Sequence, residues 1–219
     1  MRTVGKLVSS WVGQLKPRRP QGESVETVKL PAPRVAGGIG LLNALSARRS
    51  LREFSRTALP TQVLSDLLWA ANGVNRPSDG GRTAPSALNA QDVDIYVALP
   101  DAAYRYEALN HCLARVAEVD ARRVTGFQDF VDEAPLDLVY VADHSVASTV
   151  ASERRLLYSA VTAGSIAQNV YLFCAGEGLG TVVRAWLDAD TLGQALCLRA
   201  TEHILVAQTV GYPRLEAEL

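Results

Sequence analysis

The sequence is short of the residues from which most catalytic centres are built. It has three histidines, His111, His144 and His203, far apart, and three cysteines, Cys112, Cys174 and Cys197, with no CxxC spacing. No zinc-ligand set can be assembled from them. An odd cysteine count without close pairs gives no disulfide framework, and such usage fits a reducing compartment. No apolar run reaches the roughly 18 residues of a transmembrane helix. The N-terminus is basic but lacks a clean apolar h-region and a small-residue cleavage site, and Arg18-Arg19 is followed by Pro20 and polar residues. The expectation is a cytoplasmic protein with no integral membrane segment. Phosphate-binding signatures are missing as well. There is no Walker A sequence. Gly176-Glu177-Gly178-Leu179-Gly180 has Thr181 where a dinucleotide loop needs its last glycine, and it follows a helical pattern where a strand is required. Gly37-Gly38-Ile39-Gly40 has no preceding strand either. Ser165 lies in Ala-Gly-Ser-Ile-Ala, which is not a nucleophile elbow. Asp143-His144-Ser145 are adjacent in sequence, which does not give a triad its geometry. A hydrolase therefore has little support. With a net charge of −1 the chain has no global attraction to nucleic acid or membrane.

What is present is ordinary globular material: 219 residues, 48% apolar and 21% charged, enough for one domain with a full core. Its charge is unevenly placed. Residues 1–60 hold 11 Lys+Arg against 3 Asp+Glu, a balance of +8, and residues 61–219 hold 11 against 20, a balance of −9. An anion would be received mainly by the first quarter of the chain. The densest basic stretch there is Ala47-Arg48-Arg49-Ser50-Leu51-Arg52-Glu53-Phe54-Ser55. Arginine presents a rigid fork of donors that matches phosphate oxygens and stays charged at any working pH, and Ser50 adds a short hydroxyl donor. On spacing alone a basic run is more often a solvated helix end. The downstream segments decide between the two.

Val4, Leu7, Val8, Trp11, Val12 and Leu15 recur at helical spacing with Arg2, Lys6 and Lys16 elsewhere, an amphipathic helix that suits packing on its own domain or a partner. Residues 17–38, with four prolines and three glycines, read as an extended arm. The chain thus divides into an N-terminal basic helix and arm, 1–38, and a folded body, 39–219. In the body, helices are expected over Leu41–Arg49, from Pro60 to Asn72, over Ala102–Val119, Ala147–Glu177 and Asp188–Cys197. The middle of the long one, Ala160 to Val170, is small and apolar nearly all round and is expected to be buried. Strands are expected over Val93–Leu99, Leu136–Ala142, Thr181–Ala185 and Ile204–Val210. Residues 75–91, rich in turn formers, amides and hydroxyls, form a loop of the kind that holds ligands. The order points to an α/β or α+β sandwich around four strands.

Four segments, in order, resemble the FMN-dependent nitroreductase family, in particular its shorter branch near the azoline dehydrogenases of thiazole and oxazole biosynthesis. They are Arg48 to Phe54; Arg82-Thr83-Ala84-Pro85-Ser86-Ala87-Leu88-Asn89-Ala90-Gln91; Gly164-Ser165-Ile166-Ala167-Gln168-Asn169 through Gly178-Leu179-Gly180 to Asp188; and Val210-Gly211-Tyr212-Pro213. The likeness runs from about Gly40 to Pro213. Two departures matter: larger members carry a basic C-terminal extension, whereas this chain stops at Leu219, and Leu88 stands where the azoline branch often has glycine.

The resemblance implies an α+β fold with a central, mostly antiparallel sheet flanked by helices. It also implies an intertwined homodimer with FMN at the subunit interface, so that 39–219 is an FMN-binding domain. Carried over residue by residue, Arg48 and Ser50 would meet the FMN phosphate, with Arg49 along the phosphate and ribityl chain. Arg52 would approach the pyrimidine edge of the flavin, where reduction places negative charge. Pro85, Ser86, Ala87 and Asn89 would reach the same flavin from the other subunit. Backbone groups of Ala185 and Trp186 would sit near flavin N5, and Arg214 would be a second phosphate contact. NADH or NADPH would supply hydride, through N5 and in ping-pong order, to a nitro, quinone or related acceptor. An azoline-type C–N dehydrogenase or a flavin-binding partner subunit without turnover are the alternatives. Tyr104, Tyr106, Phe127 and Phe130 would shape the pocket unless they are core aromatics.

Overall fold

The computed structural model describes residues 26–146 and 150–214. The amphipathic helix expected over 4–15 and the start of the arm lie outside them. Among the described residues seven strands form one sheet, and every neighbouring pair is antiparallel. In chain order they are β1 (Thr27–Lys29), β4 (Val93–Ala98), β5 (Ala103–Glu107), β6 (Cys112–Ala117), β7 (Leu136–Asp143), β8 (Gly180–Arg184) and β9 (Glu202–Gly211), and their spatial order is β1-β6-β5-β4-β7-β9-β8. All eight residues of β7 are buried, because both faces of the sheet are covered. A separate ribbon of β2 (Val74–Arg76) and β3 (Gly81–Arg82) lies in the 75–91 loop, followed by a single 3₁₀ turn at Ala87–Asn89.

On one face lie α2 (Thr61–Asn72) and α3 (Ser152–Gly176). Leu64, Leu67, Leu68 and Ala71 of α2 are buried at i, i+3, i+4 and i+7, and on α3 Ala163, Ile166, Ala167, Val170 and Cys174 join the same core. Each fully buried leucine contributes about 1.5–3 kcal/mol. The opposite face is covered by α4 (Ala189–Ala195) and the loop before β7, where Leu192 and Leu196 pack with Tyr96, Val139 and Val141. Asp188 caps α4 by accepting from the Asp190 and Thr191 N–H groups. Helix α1 (Leu41–Ala47) packs on α3.

Three expectations are corrected. The helix expected over Ala102–Val119 is the β5–β6 hairpin. Tyr104 and Tyr106 are buried and Arg105 and Glu107 only partly so, a period of two, and the left-handed backbone of His111 (φ 46°) turns the chain. The four strands expected are accordingly too few, and Tyr104 and Tyr106 belong to the main core rather than to a pocket. Helix α3 is not buried all round in the single chain: Leu157, Val161 and Gly164 stand on an exposed face, Val161 with 62% of its surface open.

The arm is tied down at its described end. Arg34 forms an ion pair with the buried Asp66 at 2.6 Å. Ser65 Oγ donates to the Pro31 carbonyl at 2.6 Å, so it accepts from His111 Nε2 at 2.7 Å, and His111 Nδ1 then accepts from the Tyr106 hydroxyl at 2.9 Å. This set of partners assigns a neutral, Nε2-protonated ring. Burial lowers the His111 pKa below its ordinary 6.5. The folded state thus binds fewer protons here than the unfolded chain. The contribution is fully present above about pH 6.5 and is lost as pH falls through the lowered folded value. Thermal unfolding at pH 7.5 and 5.5 should show a smaller acid loss of Tm in His111→Gln than in the wild-type protein.

Candidate functional site

The arginine-rich stretch does not continue α1. Arg48 leaves the helix (φ −57°, ψ 125°) after its N–H donates to the Ala44 carbonyl, and the chain then runs extended along the open edge of the sheet. Leu51 N–H donates to the Thr181 carbonyl of β8 at 3.0 Å, and Ser55 N–H to the Tyr212 carbonyl at 2.8 Å. Leu51 is half-buried and Phe54 buried, while Arg52 and Glu53 between them are exposed. Phe54, wholly buried, packs with Ala134, Val182 and Phe130. Gly180 is what lets the stretch lie so close, since a Cβ there would stand 2.5 Å from Leu51 Cδ2. Gly178, at φ +69°, makes the turn from α3 into β8.

The result is a cleft of about 520 Å³ lined by Arg48, Arg49, Leu51, Tyr171, Thr181 and Pro213, among others. Arg48 is half-buried with its guanidinium 5.3 Å from the Tyr171 ring centroid, and Ser50 Oγ lies 2.9 Å from the Tyr171 hydroxyl. The same hydroxyl accepts from the Val183 N–H at 3.0 Å. Arg48, Arg49 and Arg52 form no ion pair with a described carboxylate. The cleft floor carries Cys174, whose thiol pKa is pushed up by complete burial, so it offers no thiolate nucleophile. No group of three His, Cys, Asp or Glu among the described residues could hold a metal.

The other expected residues lie elsewhere. Pro85, Ser86, Ala87 and Asn89 belong to a loop braced from beneath by Gln91. Gln91 N–H donates to Ser86 Oγ at 3.0 Å, and its amide nitrogen donates to the Gly80 carbonyl at 3.0 Å and to Asn89 Oδ1 at 3.2 Å. Leu88, Asn89 and Gln91 all have left-handed backbones (φ 56°, 55° and 49°). Such conformations cost non-glycine residues free energy and gather at ligand clamps. None of these residues lines the arginine cleft. Arg214 lies in an adjoining cleft that shares Gly178 and Pro213 with the first, and its guanidinium is engaged by Glu133. Ala185 and Trp186 follow β8, both exposed. Trp186, 68% open, stands against Phe127 with ring centroids 5.5 Å apart, and its carbonyl accepts from the Phe127 N–H at 3.3 Å.

Two participants went unnoticed in the sequence. Tyr171 is the polar-tipped aromatic just past the small, apolar middle of α3. Arg184 and Asp137 are opposite charges flanked by apolar residues, Val-Val-Arg at the end of β8 and Leu-Asp-Leu at the start of β7. A lone charge within a buried strand requires a partner, and that is the signal that pairs them. They meet at 2.6 Å, and Arg184 also donates to the Thr125 carbonyl at 2.8 Å and to Thr209 Oγ1 at 2.9 Å. The segment bearing Ala185 and Trp186 starts from this buried knot.

Comparison with known proteins bears on the site as a whole. The model of the Nitroreductase family matches residues 45–212, from the helix before the arginines to the turn after β9. A Methanocaldococcus jannaschii protein, provisionally named a nitroreductase, is 30% identical over 197 residues, covering 85% of this chain and 97% of its own. A Ralstonia eutropha crystal structure, also provisionally named a nitroreductase, superposes with a TM-score of 0.84 at 44% identity, covering 92% of this chain and 96% of that one. The NADPH:FMN oxidoreductase of Vibrio harveyi, solved with NAD+, shares the fold at a TM-score of 0.59 and 20% identity, covering 82% and 71%.

Proposed function

This chain belongs to the nitroreductase family and is an oxidoreductase, and from that premise we propose that it is an FMN-dependent, NAD(P)H-driven reductase of nitro compounds, quinones or related acceptors. The observation that carries the reading is that Arg48, Arg49 and Arg52 have no carboxylate partner among the described residues. Arg34, Arg122, Arg184, Arg199 and Arg214 are each paired with a carboxylate. Guanidinium groups without a described carboxylate, two of them at a cleft beside a serine hydroxyl, fit a phosphate ester. Bound FMN would supply the redox chemistry, taking hydride from NADH or NADPH and passing it to the acceptor in ping-pong order.

The chain's own residues bind and tune. Arg48 and Ser50 hold the phosphate and Arg49 follows the ribityl chain. Arg52 sets a fixed positive charge at the pyrimidine edge, where it stabilises the anionic reduced form without reorganisation. Backbone groups of Ala185 and Trp186 address the N5 side. Arg214, already engaged by Glu133, contributes least to the phosphate. Pro85, Ser86, Ala87 and Asn89 come from a second copy of the chain. That copy has a face to cover: Leu41, Leu42 and Leu45 on α1 and Leu156, Leu157 and Val161 on α3 are exposed apolar side chains, Leu42 with 79% of its surface open. Exposed apolar side chains on two helices suit an association face.

The test is spectroscopic. Purified protein should be yellow, release FMN on denaturation, lose its absorbance under anaerobic NADH or NADPH, and run at about twice the 23.5 kDa chain mass. Colourless protein that takes up no FMN, or a solitary chain that carries flavin, would overturn the reading. Bound flavin that neither nucleotide bleaches would leave a flavin-binding role without turnover.

A further inference from the structure

We propose that Tyr171 is the positioning residue of the phosphate grip: its hydroxyl orients Ser50 and its ring holds Arg48 as an uncompensated cation. The inference rests on the FMN reading above. Three contacts converge on this side chain, from two separate parts of the chain. Tyr171 projects from α3, accepts the Val183 N–H from the free edge of β8, and meets Ser50 and Arg48 of the extended stretch.

The hydrogen-bond arithmetic gives the set a direction. The phenol oxygen is already an acceptor for Val183 N–H, so its proton is available to Ser50 Oγ. Ser50 then accepts from Tyr171, and its own O–H is turned outward as a donor to an anion. A hydroxyl that accepts one hydrogen bond donates a stronger one, so the relay reinforces the contact with a phosphate oxygen. The ring does complementary work on Arg48. A guanidinium steadied by a carboxylate has spent its charge, whereas one steadied over a π face keeps it. Among the described residues Arg48 has the aromatic face and no carboxylate. Tyr171 thereby pre-orders two donors without neutralising either, which lowers the ordering cost at binding.

The prediction separates phosphate recognition from mere packing, because riboflavin is FMN without the phosphate. Flavin fluorescence titrations should show wild-type protein binding FMN more tightly than riboflavin. Tyr171→Phe, which keeps the ring, should weaken FMN by about tenfold and riboflavin by less than about twofold, the effect expected for a hydrogen bond serving a charged group. Tyr171→Leu should cost FMN a further two- to fivefold. Because the hydroxyl acts through Ser50, the double variant Ser50→Ala/Tyr171→Phe should bind FMN no more weakly than Ser50→Ala. Equal losses for both flavins, additive losses in the double variant, or an unchanged FMN affinity in Tyr171→Phe would each overturn the proposal while leaving the FMN reading intact. Wild-type protein that binds neither flavin would overturn both. A wild-type far-UV circular dichroism spectrum and melting temperature check that each variant is folded.

Discussion

Arg48→Ala should empty the protein of flavin without unfolding it. A charge-assisted contact to phosphate in a half-enclosed cleft is worth about 2–4 kcal/mol when one partner is truncated, or roughly 30- to 1,000-fold in Kd. Micromolar FMN would then no longer survive purification. The apo-protein should be nearly indifferent, because Arg48 gives up no described carboxylate and only a cation–π contact of about 0.5–1 kcal/mol. The expected pattern is therefore an unchanged apo melting temperature together with the loss of the upward shift that added FMN gives the wild type. Arg49→Ala should weaken FMN less, since Arg49 is exposed and lacks the aromatic support. Arg52→Ala should differ in kind. It should keep flavin but lower its reduction potential by roughly 20 mV, the two-electron equivalent of about 1 kcal/mol. Spectrophotometric titration against a reference dye measures it. Flavin retained at wild-type occupancy in Arg48→Ala would remove the phosphate role from this residue.

What could be read without coordinates follows a physical division. The stripe Leu64, Leu67, Leu68 and Ala71, the apolar run of β7 and the helix beginning at Asp188 are local patterns, and each element lies close to where its pattern puts it. The Ala102–Val119 segment misled because its alanines, leucines and valines satisfy a helical count. The decisive facts there were the alternation at Tyr104 to Glu107 and a left-handed residue at His111, which composition does not show. The arginine stretch was legible as chemistry but not as geometry. Its guanidinium groups were visible, yet the extended path along β8 depends on a long-range fit of Leu51 onto Gly180. Tyr171 was hidden for the same reason, its three partners being 12 and about 120 residues away in sequence. The exposed side of α3 reads as buried from sequence because a sequence counts apolar residues and does not say which chain covers them.

The largest stability effect is expected at Arg184, which stands in a buried polar knot at the end of β8. Its side chain is 3% exposed and that of Asp137 is wholly buried. Burial pushes the Asp137 carboxyl pKa up, and Arg184 with the Thr209 and Thr125 hydroxyls pulls it back. Arg184→Met removes the cation and leaves a carboxylate in an apolar interior, at a cost of about 3–5 kcal/mol. The pair is not thereby worth that much, because most of the loss is the stranded charge. Adding Asp137→Asn should accordingly restore a large part of the stability, since an amide oxygen still accepts from Thr209 and nothing is left ionised. The single variant should also acquire a pH dependence. With the folded pKa of Asp137 raised above its unfolded value, the folded state binds the extra proton. Stability is then present at low pH and lost as pH rises through the folded pKa. Chemical denaturation of Arg184→Met should therefore give a higher midpoint at pH 5 than at pH 8, and Asp137→Asn should abolish that difference. Equal midpoints at the two pH values, or no recovery in the double variant, would show that Arg184 supports the fold through the Thr125 loop rather than by neutralising Asp137. That outcome would move the anchor of the Ala185–Trp186 segment from β7 to the residues before it.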